Sequence, residues 1–319
     1  MDNKFISIIG PMYNEEQTIQ RYCQVVSQIM KTVSSVYDYE IVLVNDGSKD
    51  RTYNYMLEEH EKNPYNITVV NLTRNFGLEG AVKAGLTVSK GDAVVVMDGD
   101  LQDPPSLILE MIKKWEEGND VVVASRKRRT HDTIFKRVTA RIFYSIMDGL
   151  SGKLKLEHDA ANFRLLSRKA VDKLLQLPEV NTVFRVMVPF IGMKTAVVEY
   201  EREERFAGST KYSLSNMIPY ALNSITGISV EPLRKIVWIS GLTGFIFIGS
   251  IIGTFFTTNE LLHLGLIFVS LMMFMFMMLF AAMSIMAEYI AQIMIEVKGR
   301  PVSIIYDYIP SKIVERKVK

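Results

Sequence analysis

The feature that most constrains the fold is a regular alternation of strand-like and helix-like segments between Phe5 and Ala124. Short apolar runs rich in β-branched residues alternate with longer segments whose apolar residues recur at helical spacing. Repeated β–α units predict an α/β fold with a largely parallel sheet covered by helices on both faces. The predicted strands are Phe5–Ile9, Glu40–Val44, Ile67–Asn71, Ala93–Met97 and Asp120–Ala124. The predicted helices between them are Glu15–Val33, Thr52–Glu61, Leu78–Ser89 and Leu107–Glu117.

Polar segments follow four of these predicted strands. Each one alone is an ordinary turn or helix cap. Ligands of parallel sheets bind beyond the carboxyl ends of the strands, so the order and shared placement of the segments predict one binding edge. The segments are Pro11-Met12-Tyr13-Asn14-Glu15-Glu16, Val44-Asn45-Asp46-Gly47-Ser48-Lys49-Asp50, Arg74-Asn75-Phe76-Gly77 and Asp98-Gly99-Asp100-Leu101-Gln102-Asp103.

Asp98 and Asp100 stand two residues apart at the end of the buried strand-like run Val94–Met97. Carboxylates in such a place are costly unless a positive charge compensates them. Carboxylate oxygens suit Mg²⁺ or Mn²⁺, and a diphosphate would complete the ligand set of the metal. The alternative interpretation is a solvated turn at the exit of a strand.

Composition excludes several classes of protein. The formal net charge of +2 gives no indication of nucleic-acid binding. The single cysteine, Cys23, excludes an intrachain disulfide framework and a cysteine-rich zinc site. The start of the chain has no charged segment followed by a long apolar run, so no signal peptide is expected.

Two stretches near the C-terminus, Ile236–Asn259 and Leu261–Ala287, contain no Asp, Glu, Lys or Arg. Each exceeds the roughly 20 residues that cross the hydrocarbon core of a bilayer, so a transmembrane hairpin is predicted. Long buried helices of a soluble protein are the alternative. Arg234 and Lys235 before the pair, with Lys298 and Arg300 after it, place both ends in the cytoplasm by the positive-inside rule.

These patterns predict a cytosolic domain over residues 1–211 and an amphipathic juxtamembrane helix over 212–235. A plain core helix is the alternative for the second segment. Transmembrane helices follow at about 236–258 and 261–287, within a membrane segment spanning 236–290. Residues 291–319 are predicted to form a cytosolic tail.

With these motifs in this order, the sequence resembles the inverting family 2 glycosyltransferases, which have the GT-A fold. More narrowly, it is similar to polyprenyl-phosphate glycosyltransferases of the dolichol-phosphate mannose synthase type, and most of all to bacterial bactoprenol glucosyltransferases with two C-terminal transmembrane helices. The resemblance implies an Mg²⁺ or Mn²⁺ ion held by Asp100 with Asp98, and support of the donor site by Gln102. It assigns contacts with the nucleotide's base and ribose to Pro11, Tyr13, Glu15 and Asp46, and a place facing the ribose or metal-bound water to Asp98.

The acceptor implied by this resemblance is a lipid phosphate, which is already anionic and needs cations rather than a strong general base. Arg126 and Lys211 suit that task, because arginine binds phosphate in a bidentate way and lysine acts as a point charge. The family's acidic segment corresponds to Asp159, with Arg164 close behind it in Phe163-Arg164-Leu165. A structural ion pair is the alternative for Arg164. Asn162 stands where the family usually has a second acid, so only Asp159 is expected near the acceptor.

The expected activity is transfer of glucose from UDP-glucose to polyprenyl phosphate at the cytosolic face of a bacterial plasma membrane. Asp100, Asp159 and Arg126 are the expected catalytic residues. A separate flippase and a downstream glycosyltransferase would use the product in the cell envelope. UDP-N-acetylglucosamine and GDP-mannose remain open as donors, and a homo-oligomer remains open as the assembly. A processive polysaccharide synthase and an inactive membrane scaffold are the alternative functions.

Overall fold

The structure is a computed structural model that describes residues 3–126, 160–178, 184–200 and 261–318. Its centre is an eight-stranded sheet with the strand order β7-β5-β6-β4-β1-β2-β3-β8. β6 runs antiparallel to β4 and β5, and β8 runs antiparallel to β3, whereas the other neighbouring pairs are parallel. The predicted α/β fold with a largely parallel sheet is therefore confirmed. The strands are β1 Lys4–Met12, β2 Tyr37–Asn45, β3 Ile67–Leu72, β4 Ala93–Val96, β5 Val121–Arg126, β6 Ala160–Ser167, β7 Thr195–Tyr200 and β8 Ile305–Ile309.

Helices cover both faces of the sheet, because neighbouring strand residues point to opposite sides. On one face Ile8 and Leu43 join buried side chains of α1, α2 and α4 in one core cluster. On the other face Ile9 and Val42 join buried side chains of α3, α5 and α6 in a second cluster. The helices are α1 Ile19–Lys31, α2 Thr52–Lys62, α3 Gly77–Val88, α4 Leu107–Glu116, α5 Arg168–Leu175, α6 Phe184–Phe190, α7 Leu261–Lys298 and α8 Lys312–Val318.

The first helix begins later than the sequence predicts, at Ile19 instead of Glu15. Asn14 has a φ of +52°, in the left-handed region that a helix cannot use. The backbone N–H of Thr18 then donates to the carbonyl of Glu15 across 3.0 Å, in a turn that precedes the helix. The polar residues after β1 therefore form a loop at the sheet edge.

The C-terminal tail is part of the sheet. β8 pairs with β3, and Ile313 and Val314 of α8 pack against Phe5 of β1. The sequence pattern predicted a tail here and no strand. Only a few alternating apolar residues in Ile305–Ile309 hint at a strand.

The predicted second membrane helix lies within α7, which has 38 residues. Among the residues that the structure describes, no helix combines the length and the hydropathy that a membrane crossing requires. The predicted juxtamembrane helix at 212–235 and the first predicted span at 236–258 lie outside the described residues. The predicted hairpin is thus not confirmed.

Candidate functional site

The four polar segments meet at one edge of the sheet, as the sequence predicts. β1, β2, β3 and β4 run in the same direction, so their carboxyl ends lie side by side. Pro11 of β1 stands opposite Val44 of β2, and Val44 stands opposite Val70 of β3. On the other side of β1, Ile9 stands opposite Val96, two residues before Asp98. This edge is the candidate site.

The loops after β1 and β2 hold each other by backbone-to-side-chain hydrogen bonds. The N–H of Asn14 donates to Oγ of Ser48 across 3.0 Å, and the N–H of Lys49 donates back to Oδ1 of Asn14 across 2.8 Å. The N–H of Glu15 donates to Oγ1 of Thr52 across 2.8 Å. Reciprocal contacts of this kind fix two loops as one unit, which places the predicted nucleotide contacts in a defined frame.

Asp46 is a buried acid of the site, with 3% of its surface exposed. Its N–H donates to the carbonyl of Met12 across 2.9 Å, and its Oδ1 accepts from the N–H of Phe76 across 2.7 Å. Burial raises the pKa of Asp46 to about 6, although the N–H donors of Phe76 and Gly77 and the charge of Arg74 act in the opposite direction. Asp46 therefore joins the end of β1, through its backbone N–H, and the loop after β3, through its carboxylate, to the end of β2.

The turn Asp98-Gly99-Asp100 packs directly on the end of β1. A Cβ on Gly99 would meet Sδ and Cε of Met12, so the flexible end of that buried side chain would have to shift. Oδ1 of Asp100 accepts from the N–H of Gln102 across 3.2 Å, and Leu101 between them has a φ of +56°. A leucine in the left-handed region is strained, and strain of this kind clusters at functional sites.

The loop after β4 is anchored by a pair that sequence reasoning missed. The hydroxyl of Tyr200, at the end of β7, donates to Oδ1 of Asp103, and both side chains are buried. Tyr200 stands opposite Arg126 in the register of β5 and β7. No local pattern in the sequence joins positions 103 and 200, so only the topology of the sheet shows the contact.

The residues predicted to contact the nucleotide are brought together at this edge. Pro11 is buried at the end of β1, and Tyr13 and Glu15 are partly buried in the loop that follows. Gln102 is partly buried beside Asp100. Contact of these residues with a nucleotide stays a prediction.

The carboxylates of Asp98 and Asp100 suit a metal ion whose remaining ligands come from a bound substrate. Oδ1 of Asp98 is buried. Burial raises the pKa of the Tyr22 hydroxyl, and the negative charges of Cys23 and then Asp98 raise it further. Across the described ranges, no group of three or more His, Cys, Asp or Glu side chains could hold a metal ion by itself. Two carboxylates leave coordination positions that diphosphate oxygens and water can fill. The residues therefore fit Mg²⁺ or Mn²⁺ bound together with a diphosphate.

The predicted acceptor residues are only partly within the described chain. Arg126 ends β5, which runs in the same direction as β4, so its backbone lies at the same edge. Arg164 lies inside the sheet, opposite Val96 and Val123, with 1% of its surface exposed and its guanidinium 5.6 Å from the ring of Phe184. Asp159 and Lys211 lie outside the described residues. A role of Arg164 in binding the acceptor phosphate stays a prediction.

Comparison with known proteins adds similarity along nearly the whole chain. A family model described as glycosyl transferase family 2 matches residues 7–175. The uncharacterized glycosyltransferase YkcC of Bacillus subtilis (strain 168) is 38% identical over 304 residues, covering 94% of this chain and 92% of that protein. The SfII prophage-derived bactoprenol glucosyl transferase of Shigella flexneri is 36% identical over 306 residues, covering 94% of this chain and 97% of that protein.

Among solved structures, mannosyl-3-phosphoglycerate synthase from Rubrobacter xylanophilus superposes with a TM-score of 0.48 at 18% identity. The superposition covers 73% of this chain and 74% of that one. Glucosyl-3-phosphoglycerate synthase from Mycobacterium tuberculosis, in a complex with Mn²⁺, UDP and phosphoglyceric acid, gives a TM-score of 0.45 at 21% identity. That superposition covers 68% of this chain and 75% of that one.

Proposed function

Because this chain belongs to glycosyl transferase family 2, we propose that it transfers glucose from UDP-glucose to polyprenyl (undecaprenyl) phosphate, with inversion at the sugar C1. The observation that carries the proposal is the 36% identity, over 94% of this chain, to a protein named bactoprenol glucosyl transferase. The assembled edge of Asp46, Asp98 and Asp100 supports a catalytic role and argues against an inactive scaffold.

The donor half of the site would consist of the loops after β1, β2, β3 and β4. The partly buried Tyr13 and Glu15 and the buried Asp46 offer a ring face and carboxylate acceptors for a base and a ribose. Asp98 and Asp100 would hold Mg²⁺ or Mn²⁺. When bound, that ion would stabilise the negative charge that develops on the UDP leaving group.

The reaction needs one in-line displacement. An oxygen of the lipid phosphate attacks C1 of glucose, and the bond between C1 and the UDP oxygen breaks with its electron pair leaving on UDP. A single displacement inverts C1 and requires no nucleophile from the protein. The phosphate oxygen is anionic at neutral pH, so the protein has to position it rather than deprotonate it.

The acceptor phosphate would be held by cationic side chains. Arg126 at the end of β5 stands at the same edge as Asp98, which supports its assignment to the acceptor half. We assign Arg164, Lys211 and Asp159 to this half from the sequence alone. A guanidinium would grip phosphate in a bidentate way and align its oxygen with C1.

We also propose that the enzyme works at the cytosolic face of the plasma membrane, because its acceptor stays in the bilayer. Two stretches without formal charge, Ile236–Asn259 and Leu261–Ala287, support a hairpin anchor. The sheet adds a topological argument: the chain leaves the sheet after β7 and returns to it at β8. A chain that enters a bilayer between β7 and β8 and then returns to the same sheet must cross the bilayer an even number of times. This agrees with a hairpin whose ends both lie in the cytoplasm.

The product, polyprenyl-phosphate glucose, would reach the outer leaflet through a separate flippase and serve a downstream glycosyltransferase of the cell envelope. The test is to incubate the purified full chain with radiolabelled UDP-glucose, UDP-N-acetylglucosamine or GDP-mannose, together with polyprenyl phosphate and Mg²⁺ or Mn²⁺. We expect lipid-extractable label with UDP-glucose, and none with Asp100→Ala. Absence of label with every donor would overturn the enzyme assignment, and label from another donor would correct the sugar.

A further inference from the structure

The C-terminal strand begins beside the candidate site and runs along β3 away from it. β8 is antiparallel to β3, with Asp307 opposite Asn71 and Ile305 opposite Leu72. Beyond the strand pair, the N–H of Thr73 donates to the carbonyl of Ile304 across 3.0 Å. The tail therefore reaches the carboxyl end of β3, where the loop that carries Phe76 begins.

A chain of side-chain hydrogen bonds starts at Asp307. Its Oδ2 accepts from the hydroxyl of Tyr53 across 3.0 Å and from Nδ2 of Asn71 across 3.4 Å. Oδ1 of Asn71 in turn accepts from Nδ2 of Asn45 across 2.8 Å. Asn45 is buried, with 3% of its surface exposed, so this contact crosses the sheet interior from β3 to β2.

The chain of hydrogen bonds ends in the donor loops. Oδ1 of Asn45 accepts from the N–H of Ser48 across 3.1 Å, and Oγ of Ser48 accepts from the N–H of Asn14 across 3.0 Å. Asn14 lies between Tyr13 and Glu15, which are predicted to contact the nucleotide. Asp307, Asn71, Asn45, Ser48 and Asn14 thus form a relay from the tail to the donor site.

The carboxylate at one end sets the direction of the relay. An ionised carboxylate only accepts hydrogen bonds, so Asn71 must turn its NH₂ toward Asp307 and its carbonyl toward Asn45. Asn45 must then give its NH₂ to Asn71 and its carbonyl to the N–H of Ser48. A reversed Asn45 would place its NH₂ against that N–H, two donors facing each other in a buried place.

We propose that Asp307 is a positioning residue for the donor nucleotide. Through its hydrogen bonds, the C-terminal tail holds the loops of the donor site in place. This role rests on the proposed function for the identity of the ligand, and it adds the part of the chain that positions the donor loops.

The test uses the purified full chain, with UDP and Mg²⁺ as the probe. Asp307→Ala should raise the Kd of UDP and the KM of UDP-glucose about tenfold, with kcat changed much less, because a partly buried hydrogen-bond network loses one member. Tyr306→Ala is the matched control: this neighbouring side chain is 72% exposed and should leave both values unchanged.

Exchanging the two partners separates positioning from strand pairing. Asn71→Asp alone should weaken UDP binding, because two carboxylates then face each other. Asn71→Asp with Asp307→Asn should restore binding, because the carboxylate now on β3 can accept from both Asn45 and the new amide on β8. Failure of the double exchange to recover any affinity lost in Asn71→Asp would overturn the relay.

Hydrogen exchange of the Asn14 and Ser48 amides tests the inference without nucleotide. Asp307→Ala should speed their exchange, and Tyr306→Ala should not. Unchanged exchange and unchanged Kd in Asp307→Ala would overturn the inference while leaving the proposed function intact. A wild-type chain that binds no UDP, with faster exchange in Asp307→Ala, would instead keep the relay and overturn the UDP-dependent activity.

Discussion

The backbone N–H of Phe76 donates a hydrogen bond to Oδ1 of Asp46 across 2.7 Å, joining the loop after β3 to the end of β2. The N–H donors and the nearby arginine do not fully offset the cost of burying this carboxylate, because its pKa still rises to about 6. A buried carboxylate kept at some cost to stability is typical of a functional position. We therefore expect Asp46→Asn to stabilise the fold and to weaken the binding of UDP.

Asp46→Asn should stabilise the fold at pH 7.5. The folded-state pKa is raised, so the folded protein holds a proton that the unfolded chain releases near the ordinary pKa of 3.8. The stabilising contribution of Asp46 is therefore present below that value and is lost as the pH rises through about 6. We expect the free energy of unfolding of Asp46→Asn to exceed that of wild type by about 1–2 kcal/mol at pH 7.5. The two proteins should be equal near pH 3.5 in thermal or denaturant melts, and an equal difference at both pH values would contradict this origin.

The same Asp46→Asn variant should bind UDP more weakly at pH 7.5. An ionised carboxylate accepts hydrogen bonds from base or ribose donors more strongly than an amide does. Wild-type affinity should fall as the pH drops through about 6, and the variant should show a flatter profile. Calorimetric titration between pH 5 and 8 measures both. A wild-type profile that matches that of the variant would show that Asp46 does not touch the nucleotide.

Asp100→Asn should lower kcat/KM by about 10²–10³-fold, because a neutral amide is a poor ligand for Mg²⁺ beside a diphosphate. Chelation of divalent metal should abolish wild-type activity, and added Mg²⁺ or Mn²⁺ should restore it. Glu61→Gln, an exposed carboxylate near the end of α2, is the control and should retain full activity. Full wild-type activity in a chelator would contradict the metal assignment.

Gly99→Ala should lower both stability and activity, because the added Cβ would force the buried end of the Met12 side chain to shift. We expect a lower Tm and about a tenfold loss of kcat/KM, typical of strain from an overfilled core. Met12→Ala combined with Gly99→Ala should recover part of the loss relative to the sum of the single effects. Strictly additive effects in Tm and kcat/KM would show that the two side chains do not compete for the same space.

Tyr200→Phe should loosen the loop that carries Asp100 and Gln102. The substitution removes a buried hydrogen-bond donor to Asp103 and should cost about 1–3 kcal/mol of stability. We expect kcat/KM to fall together with Tm, because Asp103 belongs to the same loop as Asp100 and Gln102. Tyr65→Phe, an exposed tyrosine at 44% exposure, is the control and should change neither quantity.

Much of the fold and of the candidate site follows from the sequence, because each signal is local. The apolar run Ala93–Val96 is a buried strand, and the acids behind it lie at the predicted edge. The late start of α1 was not predicted, because helical spacing continues through the turn that begins at Asn14. The pairs Asp103–Tyr200 and Asn71–Asp307 could not be predicted, since each joins positions far apart in the chain and no local pattern connects them.

The most direct test of the central claim compares UDP release with lipid-linked glucose in one reaction. The full chain is incubated with UDP-glucose, Mg²⁺ and undecaprenyl phosphate, and both products are quantified by mass spectrometry. We predict one monoglucosyl lipid for each UDP released, with no release when the lipid phosphate is omitted. UDP release without the lipid, or lipids that carry several sugars, would contradict a single transfer to polyprenyl phosphate.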